Sequence, residues 1–386
     1  MATALAMGLQ QVRSWWGPWP RLQLGALMLS LSVLTLFGWV LVSNMHRLGL
    51  TPGFGFLSRP AGFEIGEAPI AFAAGDSYGR AILAGLLNTV RVAVLGCVLA
   101  TLLGVSIGIA RLSGNPLLGR LAQIYVEVVR NTPLLLQLFF WSATLHALPP
   151  PRQALSPIEG IYLSNRGLFV PAPGGAAADP RLWLVSLVAA GAVVWLLRRT
   201  RRRVPLALAS GLVGIALLAP AFLLRLAGAS FSLDLPMLRG FNITGGAALS
   251  PELAALLIGL TVNAAAGISE IVRAGILAVP GGQWEAARAL GLSTPRIFRL
   301  VVLPQALRVI LPLMTSSYLS LTKNSSLAVA IGFPDLVSVV NTTANQTGQA
   351  LEAILMLLGT YLALSVTVSA VMNGHDRRRR LREERG

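Results

Sequence analysis

The sequence is most continuously apolar over residues 84–110, which read AGLLNTVRVAVLGCVLATLLGVSIGIA and contain Arg91 as their only charged residue. A helix of about 20 apolar residues is long enough to cross the hydrocarbon core of a bilayer. This stretch is therefore predicted to be a membrane span. The same criterion, applied toward both ends of the chain, predicts eight spans, at 24–42, 84–110, 124–147, 182–197, 204–224, 252–277, 309–331 and 352–373.

The overall composition excludes a water-soluble globular protein. Of the 386 residues, 54% are hydrophobic and only 12% are charged, whereas soluble domains carry about 25% charged residues. The formal net charge is +16. The arginines lie mostly between the apolar runs, however, where they act as orientation signals beside lipid headgroups. This placement argues against a nucleic-acid-binding protein.

The distribution of arginines predicts how the chain is oriented in the membrane. Loops that stay in the cytoplasm carry an excess of Arg and Lys. The densest arginine runs are at 198–203 and 377–385, and an even number of spans places both runs, and both termini, on the cytoplasmic side. The loop at 148–181 is predicted to lie on the other, periplasmic side of the membrane. It is rich in Pro, Gly and Ala, so it is predicted to be a spacer or docking loop without a fold of its own.

The cytoplasmic loop between the sixth and seventh spans carries the most specific pattern in the chain. Residues 283–290 are good helix formers, and Gly291 follows where a left-handed residue commonly ends a helix. Thr294 followed by Pro295 is typical of a helix start, with Thr294 as the cap. The chain is predicted to break twice as it re-enters the membrane, at Pro304 and Pro312.

This loop resembles the EAA loop in permease subunits of ATP-binding-cassette (ABC) importers. The resemblance is carried by Glu285-Ala286-Ala287, by Gly291 and by the later Ile310-Leu311-Pro312. In that family the loop forms a coupling helix that docks onto a cytoplasmic ATPase. The resemblance therefore implies that the docking residues are Glu285, Ala286, Ala287 and Gly291. The alternative, from the residues alone, is an ordinary amphipathic connecting loop.

Three further segments narrow the resemblance to one group of importers. Residues 125–137 (YVEVVRNTPLLLQ), 269–276 (SEIVRAGI) and 321–327 (LTKNSSL) are similar to segments of permeases in the polar amino-acid (His/Glu/Gln/Arg/opine) uptake family. The long layout is similar to the larger permease subunit of general L-amino-acid transport systems. The resemblance implies an all-α fold, a polytopic transmembrane helical bundle with a five-span type I (MetI-like) core.

The resemblance also divides the chain into parts. The permease core is expected in two pieces, at 84–147 and 252–373, and the second piece contains the coupling loop at 280–312. The remaining parts are an N-terminal tail with the first span and a periplasmic loop at 1–83, an insertion with periplasmic loops and two extra spans at 148–251, and a basic cytoplasmic tail at 374–386.

The resemblance implies a permease subunit of the bacterial inner membrane that translocates L-amino acids and is not itself an enzyme. The implied partners are a second permease subunit in a heterodimer, an ATPase dimer that binds ATP and Mg, and a periplasmic amino-acid-binding protein. The sequence contains no G-x-x-x-x-G-K-[ST] phosphate loop, so ATP hydrolysis is expected on a partner chain. No cofactor or metal site is predicted in this chain, since its three histidines lack the spacing of metal ligands.

Polar residues inside the predicted spans are candidates for lining the translocation pathway. An intramembrane charge costs about 2.5 to 3.5 kcal/mol on insertion scales, so it calls for an explanation. Lys323 is the only lysine of the chain. The pathway candidates are Lys323, Asn324, Asn131, Thr132 and Gln137. For each of them the alternative is a structural role, in which carbonyl groups or neighbouring helices satisfy the polar side chain.

Two acid–base pairs, Glu127 with Arg130 and Glu270 with Arg273, have the i,i+3 spacing that places both side chains on one helix face. Both pairs lie near the predicted cytoplasmic ends of their spans, so they are predicted to be gate or structural ion pairs rather than substrate ligands. The alternative function is an ion-coupled secondary transporter of small polar solutes. That function would require a carboxylate relay at mid-span, where neither glutamate lies.

Overall fold

A computed structural model describes residues 20–47, 53–175 and 231–383, together with isolated positions between 186 and 228. Most of the described chain is helical. The described helices are α1 (Pro20–Arg47), α2 (Tyr78–Ala110), α3 (Pro116–Asn131), α4 (Leu134–His146), α5 (Pro251–Leu277), α6 (Gly281–Ala289), α7 (Thr294–Ile297), α8 (Leu303–Asn324), α9 (Leu336–Thr347) and α10 (Ala350–Glu383).

Four helical stretches of the described chain are long and apolar enough to cross a membrane. They are Tyr78–Ala110, Pro251–Leu277, Thr294–Ile331 and Ala350–Met372. The apolar parts of α1 and α4 are shorter, at Leu27–Val40 and Leu134–His146. The predicted membrane bundle of helices is therefore confirmed, but the count of eight spans is not. The predicted spans at 182–197 and 204–224 lie outside the described residues.

The predicted single span at 124–147 was wrong, because the structure divides it into α3 and α4. The break falls at Thr132 and Pro133. Proline has no amide hydrogen to donate, and it disfavours helical backbone angles in the residue before it. Thr132 is accordingly extended, with φ −103° and ψ 128°. The apolar run-length criterion missed this break although the Thr-Pro dipeptide was present.

Small residues bring α2 and α5 into close contact at the centre of the bundle. Gly96, Ala100, Gly104 and Gly108 recur at every fourth position of α2 and are all buried. A Cβ atom added at Gly104 would lie 2.7 Å from Ile268 Cβ. Small residues at this spacing let membrane helices approach closely enough for their backbones to touch. The α2–α5 pair therefore forms the packed centre against which the other spans lie.

The helical chain after α7 continues through Pro304 and Pro312, so the predicted breaks there were wrong. Pro304 is near the start of α8 and directly follows a π-helical turn, whose altered hydrogen-bond spacing accommodates a residue without an amide hydrogen. A π-helical segment at Phe298–Val302 joins α7 to α8. Pro312 lies inside α8 without ending it. Neighbouring helices make such a proline tolerable in a membrane bundle.

The described part of the insertion contains eight short strands, which the all-α prediction did not include. They are β1 (Leu155–Ile158), β2 (Ile161–Ser164), β3 (Gly167–Val170), β4 (Ala172–Gly175), β5 (Phe231–Asp234), β6 (Met237–Arg239), β7 (Asn242–Thr244) and β8 (Ala247–Leu249). The sheets are β1-β2-β3-β8, β4-β5 and β6-β7, and all their pairs are antiparallel. The prediction of a loop without a fold of its own was therefore wrong for 155–175.

Candidate functional site

The loop between the spanning helices α5 and α8 folds as the two short helices that its sequence predicts. Helix α6 ends at Ala289, and Gly291, two residues later, has a left-handed φ of 74°. The Gly291 amide donates to the Arg288 carbonyl at 2.9 Å, and the Leu292 amide donates to the Ala287 carbonyl at 3.2 Å. These two bonds form a Schellman motif, which satisfies carbonyl groups that a helix end leaves without partners. Gly291 thus fixes the angle at which the loop turns toward α7.

The cap of α7 differs from the prediction. Ser293 is the N-cap residue, whereas Thr294 and Pro295 are the first two helical residues. The Ser293 side chain makes no capping hydrogen bond. Proline fixes the backbone angle that the first helical turn requires, and this accounts for a start at Thr294 without a side-chain cap.

One face of α6 packs against the membrane core, and the opposite face is exposed. Ala287 is only 4% exposed and belongs to a cluster with Val272, Ile276 and Ile310. Trp284 packs against the same cluster. The outward face presents Glu285, Ala286, Arg288, Ala289 and Leu290. The loop is therefore anchored rigidly to α5 and α8 while one of its surfaces stays uncovered.

Leu290 stands out on this outward face, because it is 80% exposed. An exposed leucine side chain does not gain the free energy of burying its apolar surface. Exposed apolar residues grouped with charged ones are typical of contact surfaces. Leu290 was not among the predicted docking residues. Its position directly before the helix-ending glycine was the signal that could have identified it.

An ion-pair cluster lies where α2 ends beside α5. Glu270 accepts from Arg111, the residue that caps α2. Its other oxygen lies 3.0 Å from Arg273 Nε, so the predicted i,i+3 contact with Arg273 is present. Glu270 thus ties two helices together with one carboxylate. Sequence reasoning missed Arg111, which is distant in the sequence.

The second predicted pair is absent from the described structure. Glu127 accepts a hydrogen bond from Gln123 Nε2 at 2.7 Å, and no ion pair joins it to Arg130 among the described residues. Both Glu127 and Arg130 are exposed. The i,i+4 neighbour on the N-terminal side competes with Arg130 for the same carboxylate, and water solvates the arginine in either case.

A cavity of about 340 Å³ lies between α5 and α8 within the spanning region. Its polar lining consists of hydroxyl and amide groups and includes no charged side chain. These polar lining residues are Asn263, Ser316, Ser317, Ser320 and Asn324. Ser316, Ser320 and Asn324 recur at every fourth position of α8, which places them on one face of the helix.

The predicted pathway residues divide between this cavity and other places. Asn324 lines the cavity, whereas Lys323 is exposed and does not line it. Gln137 donates to the carbonyls of Val129 and Thr132 at 2.9 and 3.0 Å, so it satisfies the backbone at the α3–α4 break.

Thr132 and Asn131 lie at the same break rather than at the cavity. The Thr132 hydroxyl donates to the Val128 carbonyl at 2.8 Å, and Asn131 is the exposed last residue of α3. The cavity serines were not among the predicted pathway residues, although Ser316, Ser320 and Asn324 are spaced four residues apart in the sequence.

A family model described as the inner membrane component of binding-protein-dependent transport systems matches residues 100–381 of this chain. The chain belongs to this family. The match begins within α2, ends near the end of α10, and includes the loop around α6 and the ion-pair cluster. The protein is therefore a membrane-embedded permease subunit of a transport system.

Curated relatives resemble the permease over most of its length. It is 48% identical over 362 residues to the putative amino-acid ABC transporter permease protein YhdX of Escherichia coli (strain K12), across 90% of this chain and 91% of the relative. It is 44% identical over 336 residues to the general L-amino acid transport system permease protein AapQ of Rhizobium johnstonii, across 86% of this chain and 84% of the relative.

A solved structure of an amino acid ABC transporter with histidines also matches the permease. The sequence identity is 22% and the TM-score is 0.46, with 78% of this chain and 95% of that chain covered.

Proposed function

We propose that this permease is the membrane-spanning subunit of an ATP-driven importer of L-amino acids. The observation that carries the proposal is the loop around α6, an anchored helix with one uncovered face, in a chain that is 48% identical to a relative named as an amino-acid ABC transporter permease. An importer of this kind needs a rigid element that transmits movement from a cytoplasmic motor to the spans. Helix α6 contacts α7 and the π-helical segment at Phe298–Val302. Ala287 and Trp284 belong to the apolar cluster that also contains residues of α5 and α8, the two helices that line the membrane cavity.

The docking surface for the ATPase is the outward face of α6. Glu285 and Ala286 lie on this face, and Gly291 sets the angle of the turn beside it. We add Leu290 to the surface because of its exposure. Ala287 faces the core of the permease, so its role is to hold α6 in place and not to contact the partner.

The remaining partners follow from the same function. An ABC importer uses an ATPase dimer that binds ATP and Mg, a second permease subunit, and a binding protein that delivers the substrate from outside. In the proposed orientation both termini are cytoplasmic and the strand insertion lies on the periplasmic side of the inner membrane. The arginine runs at 198–203 and 377–385 support this orientation.

The cavity between α5 and α8 is the proposed passage for the amino acid. Hydroxyl and amide groups can both donate and accept hydrogen bonds, so they can contact the ammonium as well as the carboxylate of a zwitterionic amino acid. This uncharged lining, which includes Ser316, Ser320 and Asn324 on one helix face, should bind the amino acid weakly enough to release it. Lys323 lies beside this lining in the sequence and is assigned no direct contact.

The test is co-purification of the ATPase with variants of the outward face. Glu285→Lys and Leu290→Asp should each reduce the ATPase recovered with the permease by about tenfold or more, since a docking surface loses charge or apolar complementarity. The conservative variant Leu290→Met should retain the wild-type amount. The second permease should remain bound in every variant, which shows that the bundle is folded. Wild-type ATPase recovery with both disruptive variants would refute the docking surface.

The same complex distinguishes the ATP-driven function from an ion-coupled transporter. In proteoliposomes that contain ATP and the binding protein, uptake of labelled L-amino acids should persist when a protonophore removes the proton gradient. It should stop in the Leu290→Asp complex. Uptake that disappears with the protonophore while ATP is maintained would favour the ion-coupled alternative.

A further inference from the structure

The β6–β7 hairpin of the insertion exposes an apolar tip. Its strands pair in the register Met237↔Thr244, Leu238↔Ile243 and Arg239↔Asn242, so the connection is a two-residue turn of Gly240 and Phe241. Gly240 has a φ of 62°, as tight hairpin turns require. Phe241 is 71% exposed at this turn, and Met237 and Leu238 are each about half exposed. Nothing in the described chain covers these side chains.

Three guanidinium groups surround the same tip. Arg239 precedes the turn and is exposed. The Arg152 guanidinium lies 4.3 Å from the centre of the Phe241 ring, a cation–π arrangement. Arg166 donates to the side-chain oxygen of Asn242 at 2.7 Å. Among the described residues, none of the three arginines has a carboxylate partner within ion-pair distance.

Two acidic side chains of the insertion and the adjoining helix are engaged elsewhere, and a third, Glu159 between β1 and β2, is exposed and forms no ion pair with the three arginines. Asp234 accepts from the Gly246 amide at 2.8 Å. Glu252 lies 3.3 Å from His146 Nε2, at the point where α4 ends and α5 begins. The tip is therefore a locally cationic surface with an aromatic ring at its centre.

The connections of the hairpin place it at the level of the lipid headgroups. Strand β8 ends at Leu249, and the spanning helix α5 begins two residues later at Pro251. A helix of 27 residues is roughly 40 Å long, compared with about 30 Å of hydrocarbon. Its first residue therefore lies within the headgroup region. The 3-10 turn at Pro151–Gln153, which closely follows α4, contacts β7, so the hairpin is held beside the ends of both helices.

We propose that the β6–β7 tip binds the membrane surface, with Phe241, Met237 and Leu238 at the acyl boundary and the arginines on the phosphate groups of anionic lipids. An aromatic ring flanked by arginines has the chemistry of an interfacial anchor, because its apolar body leaves water while the guanidinium groups stay with the phosphates. An acidic protein surface would match the arginines but would leave the apolar residues at headgroup level unexplained. The anchor fixes the insertion against the membrane beside α5.

The test places an environment-sensitive fluorophore at the tip of the full-length permease. In a Cys97→Ala background, Phe241→Cys labelled with NBD is reconstituted with the partner subunits in nanodiscs. Lipids that carry a quencher at the top of the acyl chain should quench this probe. Quenching should be stronger with phosphatidylglycerol than with phosphatidylcholine. The control is Ser156→Cys on the edge strand β1, farthest in its sheet from β8, which should be quenched less than the probe at 241 and should show no preference for phosphatidylglycerol.

Removing a guanidinium tests the lipid-headgroup contact separately. Arg239→Gln should lower the preference for the anionic lipid roughly fivefold, as expected for one arginine near a charged surface. Arg59→Gln, which removes an exposed arginine elsewhere, should leave the signal at position 241 unchanged.

Three results would overturn the proposal. They are a probe at 241 that only aqueous quenchers reach, equal quenching at 241 and 156, and protection of 241 that appears only when the binding protein is added. The last result would identify the tip as a protein interface instead.

Discussion

In the helical bundle, α2 and α5 approach closely because small residues face bulky side chains, whereas the described parts of the insertion, at 155–175 and 231–249, are held mainly by strand pairing. The buried face of α2 carries Gly96, Ala100, Gly104 and Gly108. In the insertion, by contrast, every residue of β1 and β6 is exposed. Close packing of side chains stabilises the bundle, and backbone hydrogen bonds between strands stabilise the described part of the insertion. The two regions should therefore respond to different substitutions.

The largest effect is expected where the bundle is tightest. Gly104→Leu would place Cβ 2.7 Å from Ile268 Cβ and 2.9 Å from the Ala265 carbonyl oxygen. Overpacking costs about 1–3 kcal/mol where neighbours can shift, and a helix backbone cannot. We expect a loss of about 3 kcal/mol or more in stability, measured by thermal unfolding of the purified permease in detergent.

Gly359→Leu in α10 is the matched control for this substitution, because no atom lies within 4 Å of a Cβ added there. Its unfolding temperature should match that of the wild type. Equal stability of the two leucine variants would contradict the close α2–α5 contact.

An intermediate effect is expected at the ion-pair cluster. Glu270→Gln leaves Arg111 and Arg273 without their shared carboxylate. Breaking a buried pair costs several kcal/mol, and partial exposure of this cluster reduces the expected loss to about 1–2 kcal/mol. The comparison variant is Glu127→Gln, whose carboxylate is exposed and bonds to Gln123, and it should change stability by less than about 0.5 kcal/mol. If both variants unfold at the same temperature, the cluster does not hold α2 to α5.

The smallest effect on global stability is expected in the insertion. Gly167 has a φ of 128°, and an added Cβ would lie 2.1 Å from the Leu249 carbonyl oxygen. Gly167→Ala should therefore open the β3–β8 ladder. The bundle should lose less stability than with Gly104→Leu, because the ladder can open locally and its contact with the bundle is made through Leu168 and Leu249, at the edge of the α4–α5 pair. Limited proteolysis should cut within the insertion faster than in the wild type.

Gly66→Ala serves as the control for this variant, because an added Cβ there meets no atom within 4 Å. Its cleavage rate should be that of the wild type. A cooperative collapse of the whole permease with Gly167→Ala would show that the insertion and the bundle are one folding unit.

The contrast between the two regions also explains how much the sequence could predict. Run length predicts the spans at 84–110, 252–277 and 352–373, because each is continuous in the chain. The loop around α6 is equally local, and Gly291 follows the end of its helix as expected. The β3–β8 and β4–β5 pairs were missed because they join residues far apart in the sequence, which no local pattern records. The hairpins β1–β2, β2–β3 and β6–β7 are local, but their strands are only three or four residues long. Their Pro- and Gly-rich composition indicates a loop instead.

The candidate site shows the same limit. Asn324 was selected because it neighbours the only lysine, and the structure places it in the cavity. Ser316 and Ser320 were passed over because serine carries no charge, although they share a helix face with Asn324. The contact of Arg111 with Glu270 joins two helices distant in sequence, so it required the folded arrangement. Charge alone directed attention to Lys323, which is exposed.

The β4–β5 ladder has a consequence for the history of this chain. Gly175 is paired directly with Phe231, so the two chain positions that flank residues 176–230 lie next to each other. An insertion or deletion between these positions can change the length of the chain while β4 and β5 keep their pairing. Permeases built on this plan could gain or shed a whole segment there in a single genetic event.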